Sequence, residues 1–308
     1  MQEREPALSS FRESIRRKPF TVTADLILDR QSDAADLRRQ ARLLAPLVDA
    51  IQVPDAHDGR LQMSGQAAAA LLLAEGVDPL VQITGRDRNR IALENDLLGL
   101  GVLGVRSVLL TRGEELPARY KPPTRQVLEL SGEDLITMAR QLAEDDSVRG
   151  LPELCVGTAA TVFVPKASWQ PQSLLARVDA GAEFIQTQIC FNMKALSRYM
   201  ERLVEARLTW RCAVMVGLAV LPDAAAARLL KQNLQGTAMS EKVVRRLAQA
   251  ADPEQEGVLL CVEKIARLRE IPGVSGVSLM TPGPPELMIE ALRLAGLTPE
   301  KAAPQAPR

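Results

Sequence analysis

Eight short apolar runs, nearly all followed by a stretch with helical spacing, constrain this chain more than any other feature it carries. The runs are Phe20–Leu28, Ile51–Val53, Pro79–Thr84, Val105–Leu110, Leu154–Thr158, Phe184–Ile189, Cys212–Leu218 and Gly276–Met280. They are rich in β-branched and apolar residues and do not alternate cleanly with polar ones. That is the pattern of parallel strands covered by helices. The helical segments fall at Gln31–Leu47, Ser64–Glu75, Arg90 to near Gly101, Leu135–Ala143, Leu174–Ala180 and Met193–Ala206. They continue at Ala224–Gln232, Ser240–Ala250, Val258–Arg269 and Glu286–Leu294. Eight such units in 308 residues predict an α/β chain folded as a single (β/α)8 TIM barrel. A doubly wound sheet is the alternative, and no GxGxxG follows the first run to support a dinucleotide-binding version of it. The expected organisation is an N-terminal extension over 1–19, the barrel over 20–300 and a loose tail over 301–308.

Composition removes several function classes. Apolar residues make up 46% and charged residues 25% of the chain, enough for a core and too apolar for disorder. Basic and acidic residues balance at 38 each, so no broad field favours nucleic acid. Aromatic residues at 3% leave little for stacking bases. The single histidine, His57, excludes histidine-rich metal sites and any HExxH motif, and an exposed, non-catalytic role is expected for it. No metal site is expected. Cys155, Cys190, Cys212 and Cys261 form no CxxC pair, which argues against a disulfide framework. Cys190 has no basic neighbour to activate it. The N-terminus lacks a signal-like apolar region and no run is long enough to span a bilayer, so a cytoplasmic protein with no membrane partner is expected.

In a barrel the strands' C-terminal ends form the mouth, where chemistry sits. That rule collects Asp25, Pro54–Asp55, Gln82–Arg88, Arg112–Glu115, Thr158–Ala160, Gln186–Gln188, Gly217–Leu218 and Thr281–Gly283. No Ser-His-Asp set and no P-loop appear among them. Arg86, Asp87 and Arg88 either grip an anionic ligand or form a charged helix start, with Asp87 as the cap of the next helix.

Four stretches carry a family resemblance: FTVTADLIL, ITGRDRNRIALENDLLGLGVLGVRSVLLTRGE, VDAGAEFIQTQICFN and EKIARLREIPGVSGVSLMTPGPPELMIEALRLAGL. Together they resemble the methylenetetrahydrofolate reductase family of bacterial type, over about Phe20 to Leu297. The resemblance implies a barrel that binds FAD at its mouth and takes hydride from NADH or NADPH. It reduces 5,10-methylenetetrahydrofolate to 5-methyltetrahydrofolate, so the partner is a small-molecule tetrahydrofolate derivative. The alternative is a flavin-free or partner-dependent folate-binding homologue in one-carbon or corrinoid-linked methyl transfer, with a homo-oligomer or a redox or methyltransferase partner protein. A third reading is a non-catalytic structural or regulatory homologue.

Carried over residue by residue, the resemblance makes Asp25 the general acid, where the family has glutamate. The other reading of Asp25 is a strand cap or an arginine partner. Glu114 stands for the family's aspartate after the fourth strand, against a salt-bridged loop carboxylate. Gln188 matches the glutamine that hydrogen-bonds the pterin, with Gln186 beside it on the substrate side. Asp55, Gln82, Thr84, Arg112 and Arg177 fall on the cofactor side, with Arg177 read as a phosphate ligand or a solvated helix arginine. Departures from the family are Gln82 in place of histidine, Pro54-Asp55-Ala56 in the second loop, and Ile27, Leu28 and Asp29 where prolines are common.

Overall fold

The computed structural model describes residues 10–55, 61–114, 123–148, 151–233 and 236–297. His57, Ala56, Glu115 and the 301–308 tail lie outside them. Eight parallel strands close into one barrel in sequence order. They are β1 (Thr21–Asp25), β2 (Ala50–Val53), β3 (Pro79–Thr84), β4 (Ser107–Thr111), β5 (Cys155–Ala160), β6 (Phe184–Ile189), β7 (Ala213–Ala219) and β8 (Gly276–Met280). The expected neighbours close the ring: Thr21 to Ala24 of β1 pair with Gly276 to Leu279 of β8. The first strand is shorter than the apolar run suggests. It stops at Asp25; Leu26 N–H makes a last bond to the Gln52 carbonyl, Ile27 N–H turns to Gln40, and Leu26–Leu28 wall a groove at the mouth.

A helix follows each strand. These are α2 (Ala34–Leu44), α3 (Gly65–Ala74), α4 (Arg90–Leu103), α5 (Gly132–Glu144), α6 (Gln172–Asp179) and α7 (Met193–Glu205). Between β7 and β8 run α8 (Ala224–Asn233), α9 (Glu241–Gln249) and α10 (Pro253–Leu268), and α11 (Glu286–Leu294) ends the described chain. Local signals set the starts. Asp33 caps α2 in a capping box with Asp36. Asn89, not Asp87, caps α4 through Ala92 N–H, because Asp87 is engaged by Arg86. Pro253 opens α10 behind the Asp252 cap. Among the described residues no helix is long and apolar enough to cross a membrane.

The segment ahead of the barrel carries a helix of its own, α1 (Phe11–Arg17), started by a Ser10–Glu13 capping box. Seven residues cannot hold a helix alone in water, and tertiary contacts hold this one. Phe11 is buried edge-on against Phe184, with ring centroids 5.0 Å apart. Its N–H donates to Asp78, and Arg12 pairs with Glu183. Phe11 thereby stoppers the end of the barrel opposite the mouth.

Inward-facing residues divide the interior into an apolar floor and a polar mouth. The floor is Phe11, Ala50, Leu80, Leu109, Cys155, Phe184 and Met215. Gly157 belongs to it by subtraction, since a Cβ there would lie 2.1 Å from Phe184 Cζ. Above the floor the same alternation brings Asp25, Gln52, Gln82, Thr111, Gln186, Gln188 and Ser278 to the centre. The barrel therefore buries its shape-filling side chains at one end and presents its chemistry at the other.

Candidate functional site

The mouth holds three connected spaces. A polar cleft of about 470 Å³ lies over β3, β4 and β5, lined among others by Gln82, Thr84, Arg112, Glu114, Arg177 and Gln188. A throat of about 70 Å³ descends into the barrel between Asp25, Gln52, Gln82, Gln186, Gln188 and Ser278. On the other side Asp25 and Met280 open into a more apolar groove of about 350 Å³, walled by Leu26, Ile27, Leu28, Leu229 and Leu230. Gln82 and Gln188 are shared by cleft and throat, and Asp25 by throat and groove.

Asp25 ends β1 beside Gln52 of β2 in the ladder. Its Oδ1 is sealed from solvent and meets no donor. Burial pushes its carboxyl from an ordinary 3.8 up to about 8, because a charge there would lose its water without gaining a partner. No cation stands within ion-pair distance of it among the described residues, so the arginine-partner reading does not hold. The residue as a whole is half-buried, with Oδ1 the sealed oxygen, and the upward shift favours the protonated carboxyl near neutral pH.

Gln188 reaches the mouth through an irregularity in β6. The pairing with β7 shifts between Gln186 and Ile189, and Thr187 Oγ1 bridges the Gln188 carbonyl at 2.9 Å and the Gly217 N–H at 3.0 Å. Such a shift re-aims side chains at a barrel rim. Gln188 Nε2 then donates to Glu114 Oε1 at 3.2 Å. Glu114 follows Gly113, whose φ of +88° and close approach to Thr84 and Arg86 both require glycine. Gln186 points into the throat, where its Oε1 has no partner.

Most of the other predicted residues are held by partners within the protein. Asp55 is an anchor: its Oδ2 accepts from Thr84 N–H at 2.7 Å and from Arg88 at 2.6 Å. Arg88 also pairs with Asp96, and the buried Arg86 is held by Asp87. The Arg86–Arg88 run thus ties the loops together, and Arg88 is not directed at an anionic ligand. Thr84 Oγ1 lies 3.2 Å from Thr111 Oγ1 in the cleft wall, and Gln82 faces both cleft and throat. Arg112 is exposed at the cleft rim.

Arg177 is not a solvated helix arginine. It donates to Thr158 Oγ1, the Ala159 carbonyl and Ser173 Oγ, and burial pulls its pKa down. Among the described residues neither Arg112 nor Arg177 makes a close ion pair, though Glu133 acts on Arg177 at longer range, and both line the cleft. Cys190 is buried with its thiol pushed up to about 11, in keeping with an inert cysteine. Gln52, Thr111 and Ser278 belong to the site although the sequence reading passed over them. Gln52 carried a readable signal, a lone amide in the apolar run AIQV.

A family model for methylenetetrahydrofolate reductase matches residues 12–293, and the chain belongs to that family. Among solved structures it is similar to an uncharacterized protein from Clostridium thermocellum that binds two copies of 5-methyl-5,6,7,8-tetrahydrofolic acid. The two share 11% identity over 92% of this chain and 96% of that one, with a TM-score of 0.63. At that identity the likeness concerns the fold. No curated protein matches the chain.

Proposed function

We propose that this member of the methylenetetrahydrofolate reductase family binds a tetrahydrofolate derivative in its mouth, and that Asp25 donates a proton to the bound one-carbon folate. The observation that carries the reading is Asp25 itself, a carboxyl held protonated to about pH 8 at the junction of throat and groove. A proton delivered to an imidazolidine nitrogen opens 5,10-methylenetetrahydrofolate to the iminium, the form that accepts hydride. A carboxylate already ionised at neutral pH could not supply it. Gln188 offers one donor and one acceptor face to a pterin edge, and Glu114 fixes which face is spent inside the protein. The Clostridium thermocellum protein, of the same fold, binds a reduced folate, which supports the same ligand class here.

A second reading, reduction to 5-methyltetrahydrofolate, is favoured by the cleft. Its two guanidinium groups without a close ion pair among the described residues suit a pyrophosphate, and Gly113, Gly132 and Gly236 on its wall leave backbone accessible. Arg112, Arg177 and Thr84 would hold FAD there, with Gln82 at the boundary toward the throat. Bound in that way, FAD would supply hydride transfer from NADH or NADPH to the folate's methylene carbon.

The test is titration of the purified full chain with 5-methyltetrahydrofolate and 5,10-methylenetetrahydrofolate, with and without added FAD. Folate binding in both states is expected, with NADH or NADPH oxidation only when FAD is loaded. Asp25→Asn should keep binding and slow methylenetetrahydrofolate turnover by roughly 10²–10⁴-fold, the scale of a positioned proton donor. Turnover should also fall as the pH rises through about 8. Folate binding without FAD-dependent oxidation would select the partner-dependent homologue. Failure to bind either folate in either state would refute the proposal.

A further inference from the structure

We infer that Gln52 is a positioning residue for the acid, and that in the ligand-free protein its amide oxygen accepts the proton of Asp25. Three observations converge on the pair. Asp25 and Gln52 are register partners on neighbouring strands, β1 and β2. Both side chains line the same throat. Asp25 Oδ1 and Gln52 Oε1 are each sealed from solvent and each without a hydrogen-bond donor, and Gln52 as a whole is only 1% exposed.

Two buried acceptors on neighbouring strands of one throat, each without a donor, are costly. One proton between them settles both: a carboxylic O–H donates, and the amide oxygen receives. Of the hydroxyls that line the throat, Thr187 gives its proton to the Gln188 carbonyl, Thr111 shares one with Thr84, and Ser278 lies on β8, on the side of β1 away from Gln52. Asp25 is the sole ionisable residue among the described residues lining the throat. The other acids lining the adjoining spaces are Glu114, which accepts from Gln188, Asp55, which accepts from Thr84 and Arg88, and Asp29, whose Oδ1 serves Gln31 and Ser32. Gln186 also has a bare Oε1, but it sits on β6, across the barrel from β1 and not beside it in the ladder. Gln52 therefore fixes the rotation of the acid and keeps its proton in place until a substrate arrives. This deepens the folate reading and rests on it for what the proton is used for, though not for the pair itself.

Infrared difference spectroscopy of the ligand-free full chain tests the pair directly. At neutral pH the spectrum should contain a protonated-carboxyl band that Asp25→Asn removes. Gln52→Leu, and Gln52→Met as a second variant that keeps the unbranched length, should move that band to higher wavenumber as the O–H loses its acceptor. Gln186→Leu should leave it where it is. A band unmoved in both Gln52 variants overturns the inference. So does the absence of a protonated band in the unsubstituted protein, since Gln52 would then be donating to an ionised Asp25. Folate titration of the same samples keeps the two ideas apart. A band that behaves as expected in a protein that binds no folate leaves the pair standing and removes the folate reading.

Discussion

Replacing Asp25 by asparagine should stabilise the ligand-free protein, and by an amount that grows with pH. The folded chain holds the carboxyl at about 8 against an ordinary 3.8. Between those values the unfolded chain has released a proton that the folded chain still keeps, so folding takes up a proton. Stability from this group is complete below about 3.8 and declines as pH rises, levelling off above about 8. The slope is about 1.4 kcal/mol per pH unit, which sets a ceiling of about 4 kcal/mol at pH 7. Water entering the throat would trim that figure. Asparagine has the same shape and no charge to lose, and its N–H₂ can donate to Gln52 Oε1. The assay is urea unfolding of both proteins at a series of pH values, compared through midpoints at matched m. The two stability curves should diverge steadily between about pH 5 and pH 8. Curves that stay parallel across that window would mean that Asp25 is ionised in the folded protein, and the acid assignment would fall with it. Diverging curves would show stability given up at a residue whose proton the proposed function uses.

Gln188→Ala should weaken folate binding by roughly 1–3 kcal/mol, the scale for a buried polar contact, while leaving reduction of bound FAD by NADH untouched. Equal losses in both steps would argue against a pterin contact. Arg177→Met keeps side-chain length and removes the charge. It should loosen FAD about tenfold or more, as for a lost charged hydrogen bond, with folate affinity unchanged in the FAD-free protein. Gly157→Ala should lower the melting temperature by overpacking the floor, at about 1–3 kcal/mol, since its new methyl would meet the Phe184 ring. Adding Phe184→Leu should return part of that loss.

The barrel was legible because its signal is repeated and redundant: eight buried runs and their helices must agree, and an error at one end of a strand changes nothing else. Phe20–Leu28 shows the limit. Apolar residues continue past Asp25 because Leu26–Leu28 line a groove, and hydrophobicity alone does not distinguish a ladder from a pocket wall. The helix at Phe11–Arg17 was missed for a different reason. Its Ser10–Glu13 capping box is present in the sequence, but what stabilises it is Phe184, Asp78 and Glu183, residues 67 or more positions away. The roles of the charged cluster were equally hidden. Arg88 resembles a ligand-binding arginine in sequence, and only the fold shows Asp55 and Asp96 already holding it.

The two acids that depart from the family pattern make sense together once the mouth is assembled. Aspartate at position 25 is the shorter acid, and it stays low beside Gln52, at the edge of a throat of about 70 Å³. Glutamate at position 114 is the longer one, and its extra methylene lets a residue at the end of β4 accept from Gln188 on β6. One substitution withdraws a carboxyl from the centre while the other extends a carboxyl toward it. The two groups consequently differ in environment as well as in length: Asp25 has no charge partner and keeps its proton, whereas Glu114 spends an oxygen on an amide donor. On the proposed reading, a pair of carboxyls separated in this way divides the work, Asp25 giving a proton and Glu114 fixing the orientation of Gln188 toward the ligand.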